Sequence, residues 1–172
     1  MLNAYNHNLS AEAAGAAVLT PGQDEHLPFF VYGTLRSGQG NYQRLLAGKT
    51  TAIITAAMKN TKMYAQGVAY VTDALAQDGG ELCQVVGDLM FVKPGVYPQV
   101  LVSLDGLEGY NSTTHSGHYI RVKRKATFVD PKTGETREVM AWVYFAGKST
   151  KSSLRERDRV LDGDWLQWLR SL

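Results

Sequence analysis

At 172 residues, with 44% hydrophobic and 20% charged side chains, the chain is sized for one ordinary globular domain. A net charge of +2, dispersed apart from the run Arg121, Lys123, Arg124 and Lys125, lacks the one-sided basic excess of a nucleic-acid-binding surface. The single cysteine, Cys83, excludes an internal disulfide framework and a multi-cysteine zinc site, and its neighbours Glu81, Leu82, Gln84 and Val85 include no base to activate a thiol nucleophile.

Residues 1–28 read as an extension to a domain at 29–172. They are alanine-rich at Ala11, Ala13, Ala14, Ala16 and Ala17, then broken by Pro21-Gly22, with at most a short frayed helix. No Lys or Arg precedes Arg36, and no apolar run has the length of a signal peptide or membrane helix. The expectation is a cytoplasmic protein without membrane contact.

Phe29-Phe30-Val31-Tyr32 is a short apolar run stopped by Gly33, which predicts a buried strand ending in a glycine turn. A brief helix over Asn41–Leu46 follows, ended by Gly48. Residues 50–72, rich in Thr, Ile, Val and Tyr, predict two strands with a break at Ala65-Gln66-Gly67. The alternation over Gln84–Val92 predicts another strand. Pro94 then opens a helix whose apolar stripe, Val100, Leu101, Leu104 and Leu107, carries it to about Glu108. Tyr119–Val129 and Glu138–Phe145 flank the turn-forming segment Asp130-Pro131-Lys132-Thr133-Gly134-Glu135 and predict an antiparallel hairpin. Ser152-Ser153 reads as the cap of a helix starting at Leu154. About six strands and two or three helices, in no βαβ alternation, argue for a mixed or antiparallel sheet.

Two constellations can carry chemistry. In Val31-Tyr32-Gly33-Thr34-Leu35-Arg36-Ser37-Gly38-Gln39-Gly40-Asn41 a strand breaks into a glycine-rich loop whose exposed N–H groups suit an anion, phosphate or carboxylate. The phosphate-loop and dinucleotide glycine patterns are absent, and a plain structural turn fits the same residues. The second is Leu104-Asp105-Gly106-Leu107-Glu108-Gly109-Tyr110, a helix C-terminus with Gly109 as left-handed terminator. A glutamate there faces the negative end of the helix dipole, which raises its pKa toward that of a general base at neutral pH.

Together with Tyr119-x-Arg121 and Ala141-Trp142-Val143-Tyr144, these segments resemble the γ-glutamylcyclotransferase-like superfamily from about Phe29 to Tyr144, and the ending Gly163-Asp164-Trp165 is similar to a tail of many of its bacterial members. The resemblance implies an α+β fold, a small, mostly antiparallel β-barrel with flanking helices. It implies a reaction in which the α-amine of a γ-glutamyl group attacks its own γ-carbonyl, giving 5-oxoproline and a free amine. Glu108 would be the acid/base. Tyr32, Gly33, Thr34 and Leu35 would hold the substrate, with Arg36, Tyr110, Tyr119, Arg121 and Tyr144 as further candidate contacts; core or surface packing fits these last five equally well. No cofactor and no metal are expected; His115 and His118 lie in an insert without acidic or thiol partners. The implied partner is a small γ-glutamyl substrate. The same pocket kept as a non-catalytic binding module is the alternative.

Overall fold

The computed structural model describes residues 26–75 and 83–172. The expected extension therefore lies outside the described residues up to position 25. Positions 26–28 pack on the domain: the His26 ring stacks on Tyr97, Tyr97 Oη donates to the Leu27 carbonyl, and the Pro28 carbonyl accepts from Trp142 N.

Five strands close into a barrel: β1 (Phe29–Val31), β2 (Thr50–Lys59), β5 (Gln84–Val92), β8 (Tyr119–Val129) and β9 (Thr136–Ala146), in the order β1-β5-β2-β8-β9. All neighbours are antiparallel except the closing pair, where β1 meets β9 in parallel at Phe29 and Trp142. The expected α+β, mostly antiparallel barrel is what forms. Every barrel strand sends alternate side chains into one interior cluster, among them Phe30, Met58, Leu89, Phe128 and Val143. The other face of β1 and β5, with Phe29, Val31, Met90 and Val92, packs against Tyr97, Val100 and Leu104 of a helix. These strands are buried on both faces, which is why they read as unbroken apolar runs.

That helix, α2 (Tyr97–Glu108), follows a 3-10 turn at Pro94–Val96, so Pro94 starts the turn before the α-helix. Gly109, at φ 62°, ends it as predicted. A shorter helix, α1 (Gly40–Leu45), sits after the β1 turn. The hairpin β8–β9 is fully paired from Tyr119↔Ala146 to Val129↔Thr136.

Two expectations are corrected. Residues 50–72 form three strands because Asn60, in the left-handed region at φ 57°, separates β2 from β3 (Thr61–Ala65), which pairs with β4 (Ala69–Asp73). Asparagine tolerates that conformation better than most residues, so the chain leaves the barrel there without glycine. Ser152 and Ser153 end helix α3 (Lys148–Ser153) rather than capping a new one; their hydroxyls donate back to the Ser149 and Thr150 carbonyls. The remaining elements are the two-residue strands β6 (Tyr110–Asn111), β7 (Ser116–Gly117) and β10 (Arg159–Val160), a 3-10 turn at Glu156–Asp158, and α4 (Trp165–Arg170). Strand β10 joins β3–β4 in a small second sheet.

Candidate active site

The end of β1, the β3–β4 turn, the last turn of α2 and the starts and ends of β8 and β9 surround a cavity of about 230 Å³. Tyr32, Gly33, Thr34, Leu35, Asn41, Val68, Ala69, Leu107, Glu108, His118, Tyr119 and Tyr144 contribute to its walls, with Phe30 and Val31 beneath. This volume lies below the ~300–1,000 Å³ typical of drug-sized ligand sites, which fits a substrate of amino-acid dimensions.

The β1 turn is built to present its backbone. Gly33 accepts from Arg36 N at 3.0 Å and Thr34 O accepts from Tyr42 N at 3.2 Å, while Asn41 Nδ2 donates to Thr34 Oγ1 at 2.8 Å. The turn's carbonyls and side chains are thereby fixed, and among the described residues no hydrogen bond is made to the N–H of Gly33, Thr34 or Leu35. A Cβ on Gly33 would sit 3.3 Å from Ala69 Cβ, so a side chain there would crowd the opposite wall.

Beneath the turn lies a buried ion network. Arg36, 6% exposed, places Nη1 2.8 Å from Asp164 Oδ1 and Nη2 3.3 Å from Asp88 Oδ1. Asp88 also accepts from Ser37 N at 3.1 Å. Arg36 is thus turned away from the cavity, and its charge fastens the turn to β5 and to the chain's last helix. Asp164 does double duty, since the same oxygen caps α4 by accepting from Leu166 N and Gln167 N.

Glu108 ends α2 half-buried against the cavity, and burial pushes its carboxyl up from its ordinary 4.5 to about 7. The helix end was the sequence-based reason for a raised value; in the folded chain the cause is loss of water. Three phenols share the walls, and all three are held neutral, chiefly by burial. Their protons are directed to acceptors: Tyr32 Oη to Tyr144 O at 2.5 Å, Tyr119 Oη to Ala69 O at 2.9 Å, and Tyr144 Oη to Asp105 Oδ1 at 2.6 Å. Glu108 is therefore the wall residue with a carboxyl group balanced between its two protonation states near neutral pH.

Of the sequence-predicted residues, Tyr32, Gly33, Thr34, Leu35, Glu108, Tyr119 and Tyr144 meet at this cavity. Tyr110 and Arg121 stand behind it. Arg121 Nε lies 3.4 Å from Asp105 Oδ1, and its guanidinium stacks on Tyr110 at 5.4 Å and on Trp142 at 4.7 Å. Asp105 thus links Arg121 to the wall residue Tyr144. His118 and Val68 line the cavity without having been singled out for it; His118 was weighed only with His115 as a metal ligand, and a valine after Gly67 carries no periodic signal. Among the described residues no group of three or more acidic, histidine or cysteine side chains could hold a metal. Nor is any helix long and apolar enough to cross a membrane.

A small mixed barrel opening on a pocket that joins a glycine turn to one raised carboxyl defines a compact class of fold and site. The chain belongs to the gamma-glutamyl cyclotransferase, AIG2-like family, whose model matches residues 29–167. Its fold is shared by an uncharacterised protein from Pyrococcus horikoshii, at 16% identity and a TM-score of 0.52 over 84% of this chain and 94% of that one. YkqA from Bacillus subtilis is similar at 20% identity and a TM-score of 0.55, covering 85% of this chain but 43% of YkqA. An AIG2-like protein from Mus musculus gives 19% identity and 0.51 over 78% and 87%. No curated protein matches the chain.

Proposed function

We propose that the protein is a γ-glutamyl cyclotransferase that releases 5-oxoproline and a free amine, without a cofactor, using Glu108 as acid and base. The observation that carries this reading is the meeting of Glu108 and the Gly33–Leu35 backbone donors in one amino-acid-sized cavity. Family membership supports the same class of reaction.

The substrate's α-carboxylate takes the unbonded N–H groups of Gly33, Thr34 and Leu35, a charge-assisted contact that fixes the glutamyl end. Holding that end folds the α-nitrogen back on its own γ-carbonyl; the reaction is intramolecular, so shape is most of the task. Ionised Glu108 takes a proton from the α-ammonium. The freed amine attacks the γ-carbonyl carbon, the bond from that carbon to the leaving nitrogen breaks, and the two protons shed in turn by the attacking nitrogen pass through Glu108 to the departing amine, which leaves as its ammonium. Atoms balance without water. A carboxyl that titrates near 7 exchanges a proton in both directions at little cost.

The test is product analysis. Purified protein given a panel of γ-glutamyl amides should release 5-oxoproline and one equivalent of amine. Run in ¹⁸O-water, the 5-oxoproline should carry no label. Glutamate as the product, with label in its γ-carboxyl, would mean hydrolysis and would overturn the cyclisation. No turnover of any γ-glutamyl compound would favour a binding protein.

A further inference from the structure

Three phenols share the cavity with the carboxyl of Glu108, and none of them gives it a proton. Tyr32 Oη donates to the Tyr144 carbonyl, Tyr119 Oη to the Ala69 carbonyl, and Tyr144 Oη to Asp105 Oδ1, the last at 2.6 Å. After the larger effect of burial, each phenol feels the Glu108 charge. His118, the other titratable group in the wall, has its ring nitrogens 2.9 Å from Tyr70 Oη of β4 and 3.2 Å from Thr150 Oγ1. Among the described residues no hydrogen bond reaches the Glu108 carboxyl. A phenol that donated to it would favour the carboxylate and pull its pKa back down. Turning the three protons elsewhere lets burial hold this carboxyl at about 7.

Two of the three acceptors are backbone carbonyls. The third is a side chain, Asp105, three residues before Glu108 on α2. Its other partner is Arg121, whose side chain is 12% exposed and lies over the rings of Tyr110 at 5.4 Å and Trp142 at 4.7 Å. Arg121 Nε comes within 3.4 Å of Asp105 Oδ1, yet Nε and Nη1 are buried and form no hydrogen bond. Buried donors left unpaired cost stability, and a buried ion pair is weak evidence for it. Such a pair beside a base points to a task other than holding the fold.

We propose that Asp105 is a positioning residue for Glu108: paired with Arg121, it takes the Tyr144 phenol proton and so keeps that phenol from donating to the base. The proposal rests on the reading of Glu108 as the base of a cyclotransferase. A carboxylate only accepts, so Asp105 gives the phenol hydrogen one direction to point. The guanidinium supplies the opposite charge that lets a second carboxylate sit one helical turn from the base. Without Asp105 the Tyr144 hydrogen turns toward the cavity, where Glu108 is the acid among the lining residues. Glu108 then titrates lower and is a weaker base.

Asp105→Ala/Arg121→Met removes the acceptor together with its counter-charge and strands no buried ion. The titration midpoint of Glu108 is read without substrate, from the side-chain carboxyl resonance of protein labelled with ¹³C-glutamate, assigned by its absence in Glu108→Gln. Wild type should titrate near 7, and the double variant lower by about one pH unit. Adding Tyr144→Phe should restore the wild-type midpoint, and Tyr144→Phe alone should leave it in place, whatever either does to the rate. A merely structural role for Asp105 would lower Tm and leave the midpoint fixed. An unmoved midpoint in the folded double variant overturns the proposal. So does a shift that Tyr144→Phe fails to reverse, since altered burial and not the phenol would be its cause. Should the double variant not fold, Tyr144→Phe alone decides: a midpoint raised above that of wild type would show the phenol donating to Glu108, and the proposal falls. If the midpoints move as expected but no γ-glutamyl amide yields 5-oxoproline, the cyclotransferase reading has failed while the positioning stands. Turnover by wild type with fixed midpoints defeats the positioning alone.

Discussion

Glu108 is where function and stability oppose one another. Its carboxyl ionises near 7 in the folded chain against an ordinary 4.5. Between those values unfolding releases a proton, so rising pH favours the unfolded state, and above pH 7 the accumulated cost levels off at about 3 kcal/mol. Glu108→Gln removes that cost while keeping the shape. The variant should be more stable than wild type by about 3 kcal/mol at pH 8 and by less than about 1 kcal/mol at pH 5. Thermal unfolding at the two pH values measures it; equal differences at both would mean that Glu108 is ordinary. The sequence offered Glu108 as a candidate through its place before Gly109, but not the burial that tunes it. The phenols that share its cavity, Tyr32, Tyr119 and Tyr144, come from the end of β1 and from the paired strands β8 and β9, so the enclosure is set by tertiary pairing. His118 was illegible for a similar reason: its partners Tyr70 and Thr150 are set by pairing far along the chain.

Among the elements, α4 reaches the site through Asp164. One oxygen caps the helix and holds Arg36, whose other arm grips Asp88 beneath the Gly33–Ser37 turn. Asp164→Ala forfeits a cap worth about 1 kcal/mol and leaves a buried guanidinium half-paired, so a total loss of about 2–4 kcal/mol is expected. Because Arg36 braces the turn that would take the substrate carboxylate, KM should rise more than kcat falls. Steady-state kinetics beside thermal unfolding separate the two effects, and an unchanged KM would show that the turn holds itself. The hairpin β8–β9 and the body of α2 were legible because each follows local rules of alternation, turn chemistry and a glycine stop. The Asn60 departure from the barrel and the end of α3 at Ser152-Ser153 were not, since both turn on which neighbour wins the backbone hydrogen bonds.

For the molecule as a whole, the fold depends on seating β1, the short strand that closes the barrel between β5 and β9. Gly87 allows it: a Cβ there would lie 2.4 Å from the Val31 carbonyl and 2.7 Å from Phe30 Cζ. Backbone cannot retreat from such a contact cheaply, so Gly87→Ala should cost about 3 kcal/mol or more, read as a fall in Tm or loss of soluble protein. An unaltered Tm would mean β1 is seated less tightly than its burial indicates. Closure was the part least readable from residue patterns, because it joins Phe29 to Trp142 across most of the domain; the barrel was anticipated from family resemblance instead.

The most direct test of Glu108 as acid and base is the rate of 5-oxoproline release by wild type and Glu108→Gln across pH 5 to 9. Wild-type kcat/KM should climb with an acid limb near pH 7, where the carboxyl becomes ionised. The variant, folded and at least as stable, should lose about 10²–10⁴-fold at pH 8. A variant that kept wild-type rates, or a wild type with no limb near neutrality, would contradict the account.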